Sequence, residues 1–236
     1  MNCILKIGDK QDLKDYRNKE FRNYIFGNII LYFFFTYGID FIQEDFNSTT
    51  ENIVYTLIPT TVISGILLTY AFVIDSLISS NFKTRFVFLN KEMPGAYVFS
   101  NIKNGKYKDN RFLYCDVLNT CCDIYENMPN DTKEKTHYEN SKWYGIYLNH
   151  QGNEKIKSVQ HDFLLCRDLT AATVSITTIY LVLSAFIGTI SCQFIGSLLI
   201  EYIVCSCAAQ NKAKRFVLTV ISEDVNNKKQ KGLISY

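Results

Sequence analysis

Residues 169–208 read LTAATVSITTIYLVLSAFIGTISCQFIGSLLIEYIVCSCA, forty residues whose only charged side chain is Glu201. As a single helix they would reach about 60 Å, twice the thickness of a bilayer's hydrocarbon core. The stretch therefore has to fold back, and Gly188-Thr189, between two near-equal apolar halves, is the natural place for a tight turn.

Two further apolar runs lie upstream, Tyr24–Ile42 and Ile53–Ile74. Together with Leu169–Ile187 and Ile190–Ala208 they make 79 residues that hold two of the chain's 48 charged side chains, Asp40 and Glu201. The other 157 residues carry 46. Each run is close to the roughly 20 residues a helix needs to cross a bilayer. This segregation excludes a soluble enzyme with one globular core. The expected fold is a mainly α membrane protein, four transmembrane helices in two hairpins with a cytoplasmic, mostly helical domain, assembled as an oligomeric bundle. The first run follows 23 mostly polar residues and no small-residue cleavage site comes after it, so it reads as an uncleaved anchor.

Orientation follows from Lys and Arg. Residues 1–23 hold six, residues 75–168 thirteen and residues 209–236 six, whereas the loop 43–52 and the turn at Gly188 hold none. The positive-inside rule places both termini and the long central segment in the cytoplasm. The expected organisation is a cytoplasmic segment 1–23, a hairpin 24–80, a cytoplasmic domain 81–168, a second hairpin 169–208 and a cytoplasmic helix and tail 209–236. Eight cysteines in or beside apolar or cytoplasmic stretches read as free thiols. The abundance of Lys, Asn, Ile, Tyr and Phe suggests an AT-rich genome and hence a bacterium, so the expected location is the cell inner membrane. The sequon Asn47-Ser48-Thr49 falls in the external loop.

In the cytoplasmic part, Tyr114, Val117, Leu118, Cys121, Ile124 and Tyr125 recur at helical spacing within Asp109–Glu126, with Asp109 as cap. Asn127-Met128-Pro129-Asn130-Asp131 breaks that helix, and another starts at Thr132, capped by its hydroxyl, and stops at Gln151-Gly152-Asn153. A helix from Glu154 has no breaker before the third span and reads as its extension. The fourth span likewise runs on through Lys212–Val225. Phe82–Ile102 fits either two short strands around Met93-Pro94-Gly95 or a helix end followed by a loop.

Candidate chemistry is sparse. There is no Walker A, G-x-G-x-x-G, H-E-x-x-H or G-x-S-x-G sequence. His137, His150 and His161 with Cys115, Cys121, Cys122 and Cys166 lack the close ligand pairs of zinc sites. Asp162 and Asp168 have no nucleophile nearby. No catalytic residue, metal or cofactor is therefore expected, and Arg167 reads as an interfacial anchor to lipid headgroups or a neighbouring chain. Net charge of +2 argues against a dedicated binder of duplex nucleic acid.

The membrane stretches are more informative. Gln193, Ser197, Glu201 and Cys205 recur every four residues on the fourth span. Thr173, Thr177, Tyr180 and Ser184 line the third, and Thr56, Thr60 and Ser64 flank Pro59 on the second. A carboxylate near the midplane costs about 2.5–3.5 kcal/mol to insert and faces a cavity or a partner. Two readings stand. Either Glu201 side chains from several subunits ring a cation pore lined also by Gln193, Ser197, Thr173 and Thr177, or Glu201 is hydrogen-bonded to a Thr or Tyr of its own bundle. On the cytoplasmic side Lys103, Lys106, Lys108 and Arg111, interleaved with Tyr107 and Phe112, suit phosphate contact with base stacking. A solvated loop would show the same composition.

Met93-Pro94-Gly95-Ala96-Tyr97, Trp143-Tyr144-Gly145-Ile146-Tyr147 and Phe163-Leu164-Leu165-Cys166-Arg167-Asp168, set in this four-span plan, resemble small bacterial membrane proteins encoded beside nucleotide-signalling or defence genes. The plan is similar to the membrane effectors of anti-phage systems of the Hailong or Kiwa type. That resemblance implies an antiviral defence effector: a homo-oligomeric ion channel in the lipid bilayer, gated from the cytoplasm. The implied signal is an oligonucleotide made by a partner nucleotidyltransferase. A non-conducting membrane sensor or scaffold that recruits a cytosolic partner is the alternative.

Overall fold

A computed structural model describes residues 19–35, 69, 73, 76–89, 91–188 and 190–232, and among these residues all regular structure is helical. Helix α1 covers residues 19–35. It is followed by α2 (Ser80–Phe88), a 3-10 turn (Pro94–Tyr97), α3 (Val98–Lys103), α4 (Tyr114–Thr120), α5 (Cys122–Glu126), α6 (Thr132–Asn149), α7 (Glu154–Ile187) and α8 (Cys192–Gln230). Residues 36–42 of the first apolar run, the second apolar run apart from residues 69 and 73 and so including Pro59, Thr56, Thr60 and Ser64, and the loop 43–52 with Asn47 lie outside the described residues.

The forty-residue stretch folds back as its length demands. Helix α7 ends at Ile187, and Gly188 adopts φ +77°, a left-handed conformation that costs glycine little and a β-carbon-bearing residue much. The Gly188 N–H bonds the Ser184 carbonyl at 2.8 Å, the Ser191 N–H donates to the Tyr180 hydroxyl at 2.7 Å, and the Ser191 hydroxyl accepts from the Phe194 N–H to cap α8. Both helices are long and apolar enough to cross a membrane, and only 28 % and 22 % of their apolar windows are buried within the chain. Helices filling the core of a soluble protein bury most of such a window. Phe186, Ile190, Leu199, Ile200 and Val204 are instead openly exposed.

The chain divides into two compact units. The first comprises Met1–Val87 with Leu165–Cys207. In it, Phe21 and Ile25 of α1 pack on Ala172 of α7, flanked by Tyr24, Ile29 and Leu169. Helix α2 is tied to α8 by the Tyr202 hydroxyl, which donates to the Phe86 carbonyl at 2.9 Å, and the Ser206 hydroxyl, which donates to the Val87 carbonyl at 3.0 Å. Arg167 is held inside this unit: its guanidinium bonds Asp168 at 2.9 Å and the Ser80 hydroxyl at 2.8 Å, and Lys83 approaches the same carboxylate at 3.6 Å.

The second unit comprises Phe88–Leu164 with Ala208–Tyr236. Its centre is Trp143 of α6, edge-on to Phe216 of α8 at 5.5 Å, with the indole N–H donating to the Val217 carbonyl at 3.3 Å. Phe163 of α7 stacks on Phe216. Ion pairs fasten the rim, Lys212 to Asp162 and Lys229 to Asp116, each at 2.6 Å.

Phe82–Ile102 is resolved as helical: a helix end, then a 3-10 turn leading into α3. The turn forms because Pro94 supplies the fixed φ of a first turn and Gly95 lies flat against Trp143. Glu139, only 1 % exposed, then accepts from the Ser100 N–H at 3.0 Å and from the Ser100 hydroxyl, fixing α3 on α6. Three details differ from expectation. The helix expected over Asp109–Glu126 starts only at Tyr114, where Asp116 reaches back to the Leu113 N–H, and is interrupted at Cys121. Asp109 does not cap it, because its carboxylate binds Arg111. Helix α6 starts at Thr132 but is capped by Asp131, which accepts from the N–H groups of Lys133 and Glu134 at 2.9 and 3.2 Å.

A methyl at Gly95 would meet the Trp143 ring at 2.9 Å and the Asn140 side-chain oxygen at 3.2 Å. Gly95→Ala should therefore destabilise the second unit by about 1–3 kcal/mol. Trp143 is the chain's only tryptophan, so its fluorescence in a denaturant titration reads this directly.

Candidate functional site

Two places hold the candidate residues, one in each unit. In the first, Glu201 of α8 is met inside its own chain. The Tyr24 hydroxyl of α1 donates to Glu201 Oε2 at 2.7 Å and shares a second hydrogen bond, also 2.7 Å, with Thr173 Oγ1 of α7. One phenol thus joins three helices. Tyr24 can do this because it lies beside the stripe Phe21, Ile25 and Asn28 that buries α1 against its neighbours. A further turn along, Tyr32 packs edge-on to Tyr180 and Phe194 at 5.9 and 5.4 Å, which covers the cluster with rings.

Of the five pore-lining candidates, Glu201 and Thr173 come together through Tyr24, and Thr173 is completely buried. Thr177 donates to the Thr173 carbonyl at 2.7 Å and Ser197 to the Phe194 carbonyl at 2.8 Å, so both hydroxyls serve their own helices. Gln193 is exposed. Tyr24 and Asn28 escaped the sequence reading. Tyr24, Asn28 and Tyr32 at four-residue spacing form a polar stripe on the first span, and that was the available signal.

The second place is the loop between α3 and α4. Gly105 (φ +68°) turns the chain, and the Lys106 and Tyr107 N–H groups both donate to the Asn101 carbonyl at 2.9 and 3.1 Å. This leaves an open concavity of about 530 Å³ whose wall includes Lys103, Tyr107, Lys108, Phe112 and Tyr114. Lys103 and Lys108 are therefore brought together, and Lys106 is exposed away from the lining. Arg111 is committed elsewhere: it binds Asp109 through two nitrogens, at 2.9 and 2.6 Å, and donates to Thr219 at 2.7 Å. Lys214 of α8 lies over the Tyr107 ring at 4.5 Å, a cation–π contact between residues 107 positions apart that no local pattern announces.

Electrostatics sort these groups. Hydrogen bonds from the Arg111 guanidinium hold the Asp109 carboxyl below its ordinary value against the opposing effect of burial, and the same contact holds Arg111 above its own. Burial pushes the Cys121 thiol up to about 12, which keeps it protonated and unreactive at neutral pH. The seven cysteines among the described residues are free, and no cluster of three or more His, Cys, Asp or Glu side chains among those residues is arranged to hold a metal.

Among the described residues, fold and site define a helical protein with two helices of membrane-crossing length, a polar cluster where three helices meet and a separate basic-aromatic loop. Compared with known family models, curated proteins and solved structures, the chain has no match.

The Asp109 pairing fixes a pH dependence. A carboxyl whose folded value is depressed contributes stability that is complete above its unfolded value of 3.8 and is lost as pH falls through the folded value. Trp143 fluorescence in urea should therefore show wild type losing stability below about pH 4. Asp109→Asn should be weaker at pH 6 and should lose less over that acid range.

Proposed function

We propose that the chain is a four-span protein of the bacterial inner membrane, both termini cytoplasmic, that assembles as a homo-oligomeric gated ion channel serving as a defence effector. The observation that carries this reading is Glu201: a carboxylate set in a helix of membrane-crossing length and held by a hydroxyl rather than by a cation. Inside a bilayer such a group is retained for pairing or for an ion path. The Tyr24 contact gives it a closed arrangement, and release of that contact would free the charge for conduction. Gln193, exposed on the same helix, is available to a neighbouring copy, with Ser197 and Thr177 further along the path.

The signal is sensed on the cytoplasmic side. Lys103 and Lys108 in a concavity with Tyr107, Phe112 and Tyr114 suit a phosphorylated ligand with a stacking base, which fits an oligonucleotide supplied by a partner nucleotidyltransferase. Arg111, already paired, contributes through loop geometry rather than phosphate contact. The four-span plan read from the sequence resembles Hailong-type or Kiwa-type membrane effectors.

One observation favours the second reading, a non-conducting sensor or scaffold. Glu201 is satisfied within one chain, so no ring of subunits is needed to stabilise it.

Ion flux separates the two. Wild-type protein in potassium-loaded vesicles should conduct cations in preference to anions. Glu201→Gln, which still accepts from Tyr24, should fold normally and change conductance or selectivity. Flux unaltered in that variant removes Glu201 from any pore. Absence of flux in wild type, together with no loss of membrane potential in expressing cells given their partner genes, favours the scaffold.

A further inference from the structure

A groove of about 750 Å³ runs between the first turns of α7 and the later turns of α8, within the second unit, and shares no lining residue with the concavity at the α3–α4 loop. Helical spacing sets Lys155 and Ser158 on one wall and Arg215, Thr219, Ser222 and Asn226 on the other. Part of its polar lining is already matched. The Arg111 guanidinium is taken by Asp109 and Thr219, and the Thr219 hydroxyl donates to the Arg215 carbonyl at 2.8 Å. Glu223 has both oxygens met, one by the Lys155 ammonium at 3.3 Å and one by the Asn153 amide at 2.6 Å.

Two groups on the α8 wall are not matched. Ser222 is only 2 % exposed, yet its hydroxyl makes no hydrogen bond among the described residues. A buried hydroxyl on a helix ordinarily takes at least the carbonyl one turn back, as Thr219 does. Arg215, two turns earlier on the same face, is exposed and makes no hydrogen bond or ion pair among the described residues; the Asp109 carboxylate attracts it at longer range. Ser158 and Asn226 add an exposed hydroxyl and an exposed amide. The unspent groups are thus mainly donors with one positive charge, and the first turn of α7 adds the positive end of its helix dipole. Such a set fits oxygen acceptors that carry negative charge. Glu154, exposed on that first turn, also lines the groove and limits how much negative charge can enter.

We infer that this groove binds a phosphodiester group of a soluble ligand, with the Arg215 guanidinium and the Ser222 hydroxyl as its donors. A diester brings a single negative charge, whereas a terminal phosphate brings nearly two against Glu154. The same linkage occurs in membrane lipids. Ser222, however, lies fourteen residues past Ala208, where the last apolar run ends, or about 21 Å along the helix, against about 5–8 Å for a headgroup layer. The groove needs neither a base at the α3–α4 loop nor conduction, so it and the proposed channel can fail separately.

The probe is dimethyl phosphate, which has the charge and oxygens of the linkage and no base to stack on Tyr107 or Phe112. Its binding to the full chain in non-ionic detergent is titrated by saturation-transfer NMR of the methyl protons. Wild type should bind it and should not bind trimethyl phosphate, its uncharged counterpart. Arg215→Gln should weaken binding about tenfold and Ser222→Ala about fivefold, with helix content by circular dichroism unchanged. Glu154→Gln should strengthen it, and Lys103→Gln with Lys108→Gln should leave it as it is. Binding should persist in nanodiscs of phosphatidylglycerol, whose headgroups would displace the probe if they were the occupant. Equal signals from the two esters in wild type overturn the proposal, since a buried water would then be all that Ser222 receives. An affinity that Arg215→Gln or Ser222→Ala leaves unaltered, weaker binding in Glu154→Gln, or loss of the probe in the nanodiscs overturns it as well.

Discussion

The hydrogen bond from Tyr24 to Glu201 is the constraint on which the arrangement of the first unit depends. A carboxylate within an apolar helix has to be met by a donor, and the donor used here comes from a different helix. That requirement sets which face α1 turns inward. Once Tyr24 points at Glu201, Phe21 and Ile25 must lie on Ala172, Asn28 must follow on the buried side, and Tyr32 must reach Tyr180 and Phe194. Apolar contacts alone would leave the rotation of α1 loosely determined, because Phe, Ile and Leu surround it on every side and are as content with lipid as with protein. The polar contact is worth little in energy, of the order of 1 kcal/mol in a membrane setting, yet it selects one geometry among many.

The second unit is specified by different physics. Its core is aromatic, with Phe163 stacked on Phe216 and Trp143 edge-on to it, tied to α8 by the indole N–H. Ordinary burial drives this packing, and the close approach of Gly95 to Trp143 shows how tightly the fit is made. Helices α7 and α8 contribute to both units, and along each of them the change from lipid-like to charged sequence follows the change in what surrounds the helix.

Long-range features set by composition were legible in the sequence. The fold-back at Gly188 followed from length against charge, and the unbroken runs of α7 from Glu154 and of α8 through Val225 followed from the absence of any breaker. What stayed hidden was decided by competition between nearby groups or by contacts far apart in sequence. Asp131 displaced Thr132 as cap because both types cap well and the backbone angle at the boundary chooses between them. Asp109 forfeited its capping role to a guanidinium two residues away, an ion pair that outweighs a terminal N–H. Phe82–Ile102 alternates like a strand in part, but Pro94 and the buried Glu139 determine its helical turns, and Glu139 lies some forty positions downstream. The stripe on α8 was visible and a Thr or Tyr partner for Glu201 was foreseeable, but only the polar spacing Tyr24, Asn28 and Tyr32 pointed to α1, and it does not single out Tyr24.

Two helical carboxylates, one in each unit, are met in different ways. Glu139 has both oxygens engaged by Ser100, one by the backbone N–H and one by the hydroxyl, and it fastens a helix start to its neighbour. Nothing about it is left to bind. Glu201 is held at Oε2 by the Tyr24 hydroxyl, a donor from a different helix. Both groups would look alike in a sequence, as isolated acids on helical stretches. The difference lies in the partner: Glu139 fastens a helix start through one residue, and Glu201 is met by a hydroxyl that Thr173 of another helix shares, which ties three helices together.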